Sequence, residues 1–125
     1  MATTPNFAAT PKVGSVTLDN ALGTSNSAAA VTGAASGTRV REIRVTSGAT
    51  TAPGGSATKL IVLLDGGTAR RVDVLSLTNA VDTFQGRLVY DNLLLPSASW
   101  SIKFVLNGTL TSGATLDCVV IGEDF

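Results

Sequence analysis

A chain of 125 residues, 44% of them apolar, is long enough to bury one core and not two, with roughly two-thirds of its unfolded surface lost on folding. Nine basic and nine acidic residues, spread without a block of either sign, cancel to zero, so nothing in the balance draws the chain to nucleic acid or an anionic membrane. With no His and Cys118 as the single cysteine, the sequence can build no intrachain disulfide, no Cys/His zinc site and no Ser-His-Asp or Cys-His device.

Residues 1–12 open the chain with Pro5 and Pro11 bracketing Asn6 to Thr10, and proline biases such a segment towards extended backbone. Phe7 is its one large apolar side chain. The segment is either a frayed terminus or an arm that lies on a neighbouring subunit through Phe7. No basic residue precedes an apolar run here, and the Ala-rich stretch Ala28 to Ala35 is broken by Thr32 and Gly33, so neither a signal peptide nor a membrane span is expected.

From Val13 to Phe125, short apolar segments alternate with turn clusters at the spacing of a sandwich or barrel. Strands are predicted near Val13 to Leu18, Ala28 to Gly33, Arg39 to Thr46, Lys59 to Leu64, Arg70 to Leu75, Gln85 to Asp91, Ser99 to Leu106 and Thr115 to Gly122. The continuous apolar run after Lys59 predicts a central strand covered on both faces. Trp100, Ile102 and Phe104 alternate with Ser101 and Lys103, which predicts an inward Trp face. The expected core is Ile43, Leu60, Val62, Leu88, Trp100, Ile102, Phe104, Leu116 and Val120.

Asp65-Gly66-Gly67 has the chemistry of a tight hairpin, and Asn107-Gly108 suggests another. Thr46 to Thr58, with Pro53-Gly54-Gly55, is longer than a hairpin needs and is either flexible or used for contact. A helical turn fits only between Asn79 and Thr83. Strands rich in Ala, Ser and Thr, such as Ala28 to Gly33, are edges poorly defended by charge, and one of them is expected to be covered by another chain.

Candidate chemistry is thin. Cys118 sits in an apolar strand, where a thiol is inert. Most carboxylates lie beside turns, where Asp bonds its own backbone. Arg39, Arg41, Arg44, Arg70 and Arg71 are the nearest thing to a basic cluster, but Glu42 and Asp73 lie among them and favour local charge pairing. These features point to a binding or structural protein and away from an enzyme.

Several short motifs together resemble the small virion proteins of tailed bacteriophages, especially the β-sandwich proteins that decorate or cement the capsid. They are Thr4-Pro5-Asn6-Phe7-Ala8-Ala9-Thr10-Pro11-Lys12, Gly37-Thr38-Arg39-Val40-Arg41-Glu42-Ile43, Asp65-Gly66-Gly67-Thr68-Ala69-Arg70, Leu94-Leu95-Pro96 before Trp100-Ser101-Ile102, and Gly122-Glu123-Asp124-Phe125. The resemblance implies an all-β, jelly-roll-like antiparallel sandwich of about eight strands over residues 13–125 behind an extended N-terminal arm. It further implies a protein made in the host cytoplasm that docks on the capsid exterior, often as a homotrimer, and ties major capsid subunits together without a cofactor. The residues expected at the interface are Pro5, Phe7, Pro11, Arg39, Arg41, Pro53 and Phe125. A phage tail, neck or fibre module and a carbohydrate-binding β-sandwich are the alternatives.

Overall fold

The computed structural model describes residues 10–24 and 27–125. Eight strands follow one another: β1 (Thr10–Leu18), β2 (Ala28–Thr32), β3 (Thr38–Ser47), β4 (Lys59–Asp65), β5 (Ala69–Ser76), β6 (Phe84–Leu95), β7 (Ser101–Leu106) and β8 (Leu116–Asp124). There is no helix among the described residues. The strands build two four-stranded antiparallel sheets, ordered β1-β8-β3-β6 and β2-β7-β4-β5. Only β4 and β5 are joined as a hairpin within one sheet, and every other connection crosses between the sheets. This order winds two Greek keys into a jelly-roll sandwich.

Inward residues of both sheets fill the space between them. Ile43, Val45, Leu60, Val62, Ile102, Phe104, Leu116, Cys118 and Val120 are all buried, and each large side chain among them contributes about 1.5–3 kcal/mol by leaving water. β4 lies between β7 and β5 as a central strand, and Leu60, Ile61 and Val62 are buried in succession, so both faces are covered in its first half, while Leu63 and Leu64 are only half-buried. Leu88 and Trp100, expected in the core, instead pack against its margin. Trp100 precedes β7 by one residue, and its indole lies over Gly66 of the β4–β5 hairpin, where an added Cβ would stand 2.5 Å from the ring.

β1 begins at Thr10, so it takes in Thr10-Pro11-Lys12, which the sequence assigned to the arm. A proline is tolerated there because β1 is an edge strand with one hydrogen-bonded neighbour, β8. Residues 1–9, with Pro5 and Phe7, lie outside the described residues.

The turn expectations divide. At the β4–β5 hairpin the Gly67 amide donates to Asp65 Oδ1 at 2.9 Å, with Gly67 at φ +119°. Asn107-Gly108 makes no hairpin, because β7 and β8 belong to different sheets. Asn107 Oδ1 instead accepts from the amides of Thr58 and Lys59 at 3.0 and 2.8 Å, fixing the approach to β4. The segment from Asn79 to Thr83 forms bends and no helical turn. Ser47 satisfies its backbone from outside, since Ser47 Oγ donates to the Ala80 carbonyl at 2.7 Å and accepts from the Thr83 amide at 3.0 Å.

One further expectation is corrected. The loop around Pro53 is packed on its own chain: Pro53 and Ala57 are buried, and the Pro53 carbonyl accepts from the Thr111 amide at 3.0 Å. Pro53 is therefore covered by its own chain and offers no surface to a partner. On the β2 side, β1 passes so close that a Cβ on Gly14 would collide with the Ala30 carbonyl oxygen, while β2 is hydrogen-bonded to β7 alone.

Candidate functional site

Antiparallel pairing brings the start of β1, the end of β8 and the start of β3 side by side. Thr10 and Thr38 both face Asp124, while Pro11 and Arg39 both face Glu123. Arg41 is the extra residue of a bulge in β3, since Val40 pairs with Gly122 and Glu42 with Ile121. A bulge bends its strand and re-aims the side chain. Here it places Arg41 beside Arg39, and both reach the carboxylate of Glu123.

Arg41 Nε stands 2.7 Å from Glu123 Oε2, and Arg39 Nη1 stands 3.8 Å from Glu123 Oε1. The hydrogen bond from Arg41, with the charges of both arginines, holds the Glu123 carboxyl below its ordinary range. The same bond raises the Arg41 guanidinium. One residue on, Thr38 Oγ1 donates to Asp124 Oδ1 at 2.6 Å and Lys12 Nζ lies 3.2 Å from the same oxygen. Those contacts, Thr38 foremost, depress Asp124.

Phe125 closes the corner. Its amide donates to the Gly37 carbonyl at 3.0 Å, and its carbonyl accepts from the Ser36 hydroxyl. The Arg39 guanidinium lies 5.5 Å from the centre of the Phe125 ring, within cation–π range. Arg39 Nε is buried without a hydrogen-bond partner among the described residues, and the ring takes up part of the guanidinium's charge.

Pro11, Arg39, Arg41 and Phe125 thus come together as one surface, although β1, β3 and the end of the chain are remote in sequence. Arg41 and Phe125 are more than half exposed, at 55% for the Arg41 side chain and 52% for Phe125. Pro53 lies elsewhere and is buried. Lys12, Thr38, Glu123 and Asp124 complete the corner and were not singled out from sequence. Lys12 near one end of the sequence and the adjacent acids Glu123-Asp124 near the other were the available signal, but they gave no register.

The corner continues into the outer face of the β1-β8-β3-β6 sheet. Val13 faces Ile121, which faces Glu42, which faces Val89. Val13 is 68% exposed and Val89 60%, and Leu94 and Phe84 are exposed on the same sheet. Arg44 and Glu42 pair on this face. On β3 the charges of this face are paired, and apolar patches lie beside them, a composition suited to protein contact.

Chemically the described residues offer little else. Cys118 is buried, and burial pushes its thiol up to about 12. No group of three or more His, Cys, Asp and Glu side chains is placed to hold a metal ion among the described residues.

No family model matches this chain, and no curated protein does. Among solved structures it is similar to a chain of the cyanophage Pam1 capsid asymmetric unit, with a TM-score of 0.64 at 18% identity, covering 100% of this chain and 92% of that one. The likeness establishes a shared fold from end to end.

Proposed function

We propose that this chain is a non-catalytic structural protein of a bacteriophage virion, which decorates the capsid exterior and stabilises it by binding across neighbouring major capsid subunits. The observation that carries this reading is the end-to-end fold likeness to a chain of a cyanophage capsid, over 100% of this chain and 92% of that one. The exposed corner of Pro11, Arg39, Arg41 and Phe125 supports it, as does the half-apolar outer sheet face beside it. Synthesis in the host cytoplasm is consistent with a single buried thiol and no disulfide.

Cementing requires buried area repeated many times and no bond chemistry. A homo-oligomer that holds several shell subunits at once makes its second contact at high effective concentration, so modest interfaces sum to a stable layer. The resemblance puts that oligomer at a trimer, but the mechanism serves any closed oligomer.

The test is co-sedimentation of the purified chain with empty capsids that lack it, followed by calorimetry of the loaded shells. Saturation at a fixed ratio and a raised shell melting temperature are expected. Failure to pellet at any concentration, with adsorption to tails or to glycans instead, would replace decoration by a tail, fibre or carbohydrate-binding role.

A further inference from the structure

A two-sheet sandwich has four edge strands, and unpaired edge backbone is a template for another strand unless something covers or blunts it. In this fold β1 and β2 lie against each other, with Gly14 over the Ala30 carbonyl. β5 is blunted by exposed Arg70 and Arg71. β6 touches β5 only at Gly86 beside Leu75 and at Tyr90 on Asp73, and its register with β3 shifts beyond Val89 and before Gly86, which leaves Arg87 to Val89 as regular ladder. It is the longest strand at 12 residues, is hydrogen-bonded on one side only, to β3, and contains no Pro or Lys.

Burial along β6 alternates without a break from Arg87 to Asp91, so that Arg87, Val89 and Asp91 point outward while Leu88 and Tyr90 turn towards the core. Neither the Arg87 nor the Asp91 side chain has an ion-pair or hydrogen-bond partner among the described residues. Every other charged side chain on the outer face of β3, namely Arg39, Arg41, Glu42 and Arg44, is paired within the chain. A free base two positions before Val89 and a free acid two positions after it form a self-complementary pattern.

We propose that β6 docks on β6 of a second copy of this chain, antiparallel, about a two-fold axis at Val89. In that register Arg87 faces Asp91 of the partner subunit, and Asp91 faces the partner's Arg87, so both orphan charges are neutralised by one operation. Val89, 60% exposed, is covered by its own symmetry mate, and exposed Phe84 and Leu94 flank the axis five residues to either side. An isologous contact is the one arrangement in which a single strand supplies both halves of each pair. Two outer sheets are thereby joined edge to edge. The contact needs no capsid, and it is a two-fold alternative to the trimer that the resemblance implies.

Sedimentation equilibrium of the full chain, without capsids, is expected to give a dimer. Arg87→Asp sets two acids against each other at both ends of the contact and should weaken the dimer at least about tenfold, as should Asp91→Arg. The double exchange R87D/D91R restores facing opposite charges and should recover the dimer. The two side chains lie on one strand without touching, so a role confined to one chain would not give this rescue. Facing Cα atoms in an antiparallel pair stand about 4.5–5.5 Å apart, within disulfide reach. Val89→Cys should therefore cross-link two copies under mild oxidation, while buried Cys118 stays out of the reaction. A monomeric or trimeric native chain would overturn the proposal, as would single charge variants that leave the mass unchanged or a folded V89C variant that does not cross-link. Capsid binding is read separately, so failure here leaves the decoration reading to its own test.

Discussion

Tyr90 on β6 donates its hydroxyl to Oδ2 of Asp73 on β5 across 2.9 Å, which ties one sheet to the other on the side of the sandwich away from β1 and β2. Burial and the neighbouring carboxylate both disfavour the phenolate, so the phenol ionises well above its ordinary value.

Tyr90→Phe should cost about 1–2 kcal/mol in denaturant unfolding, as expected for a part-exposed hydrogen bond to a charged acceptor. Tyr90 is the chain's single tyrosine, so absorbance titration follows it without overlap from another phenol. The midpoint should lie well above about 10 and should fall in Asp73→Asn. A folded-state value raised above the unfolded one means that this contribution is whole below about pH 10 and is lost as pH rises beyond it.

Gly66 is expected to be intolerant of even one carbon, because a Cβ would meet the Trp100 indole at 2.5 Å. Gly66→Ala should destabilise the fold by about 1–3 kcal/mol through overpacking. It should also shift the emission of the single tryptophan to the red as the ring lifts into water. An unchanged spectrum with an unchanged midpoint would mean that the indole does not rest there in solution.

The corner predicts an acid-labile edge. Glu123 and Asp124 are held below their ordinary values by Arg41 and Thr38 respectively. Depressed folded-state values give stability that is present above the ordinary carboxylate range and is lost as pH falls through the folded values, below about pH 4. Thermal melts should show this loss, and Glu123→Gln should flatten the acid limb while lowering the melting temperature at neutral pH. High salt should shrink the difference between the two proteins, since the Arg41 pair is exposed.

Cys118 should ignore thiol reagents in the native chain at pH 8 and react in full once the chain is unfolded. Burial raises its thiol to about 12, so almost no thiolate exists where a reagent could attack. Stoichiometric labelling of the native chain at the rate of a free thiol would contradict the buried placement.

Much of the strand pattern was legible because side-chain alternation is local. Ile102 and Phe104 against Ser101 and Lys103, the apolar run of β4 and the Asp65-Gly66-Gly67 turn are written in adjacent residues, and each appears where expected. Partners were not legible, because pairing joins residues with no local mark of each other: Lys12 meets Asp124 at a separation of 112 residues. The Arg41 bulge has no sequence signal either, and it decides that Arg39 and Arg41 converge on Glu123. Pro53 was misplaced for a related reason. Its loop is polar and long, as contact loops are, but the segment around Thr111 that buries it is nearly sixty residues away. Trp100 read as a strand residue by spacing, yet the Trp100 amide closes a turn on the Ser97 carbonyl and leaves the ring at the margin.

β8 is inserted between β1 and β3, and it is the one strand to which β1 is hydrogen-bonded. Before β8 arrives, β1 has no ladder to join and β3 is open along one side, with Ile43 and Val45 uncovered at that margin. Loop-closure entropy must be met before such distant pairs repay it, which places folding on the millisecond-to-second scale typical of all-β sandwiches. The β2-β7-β4-β5 sheet and the β3–β6 ladder use none of β8 and can form first. A chain whose β8 is not yet paired would therefore carry an open seam along β3, and the time β8 needs to pair would set how long that seam can meet another chain.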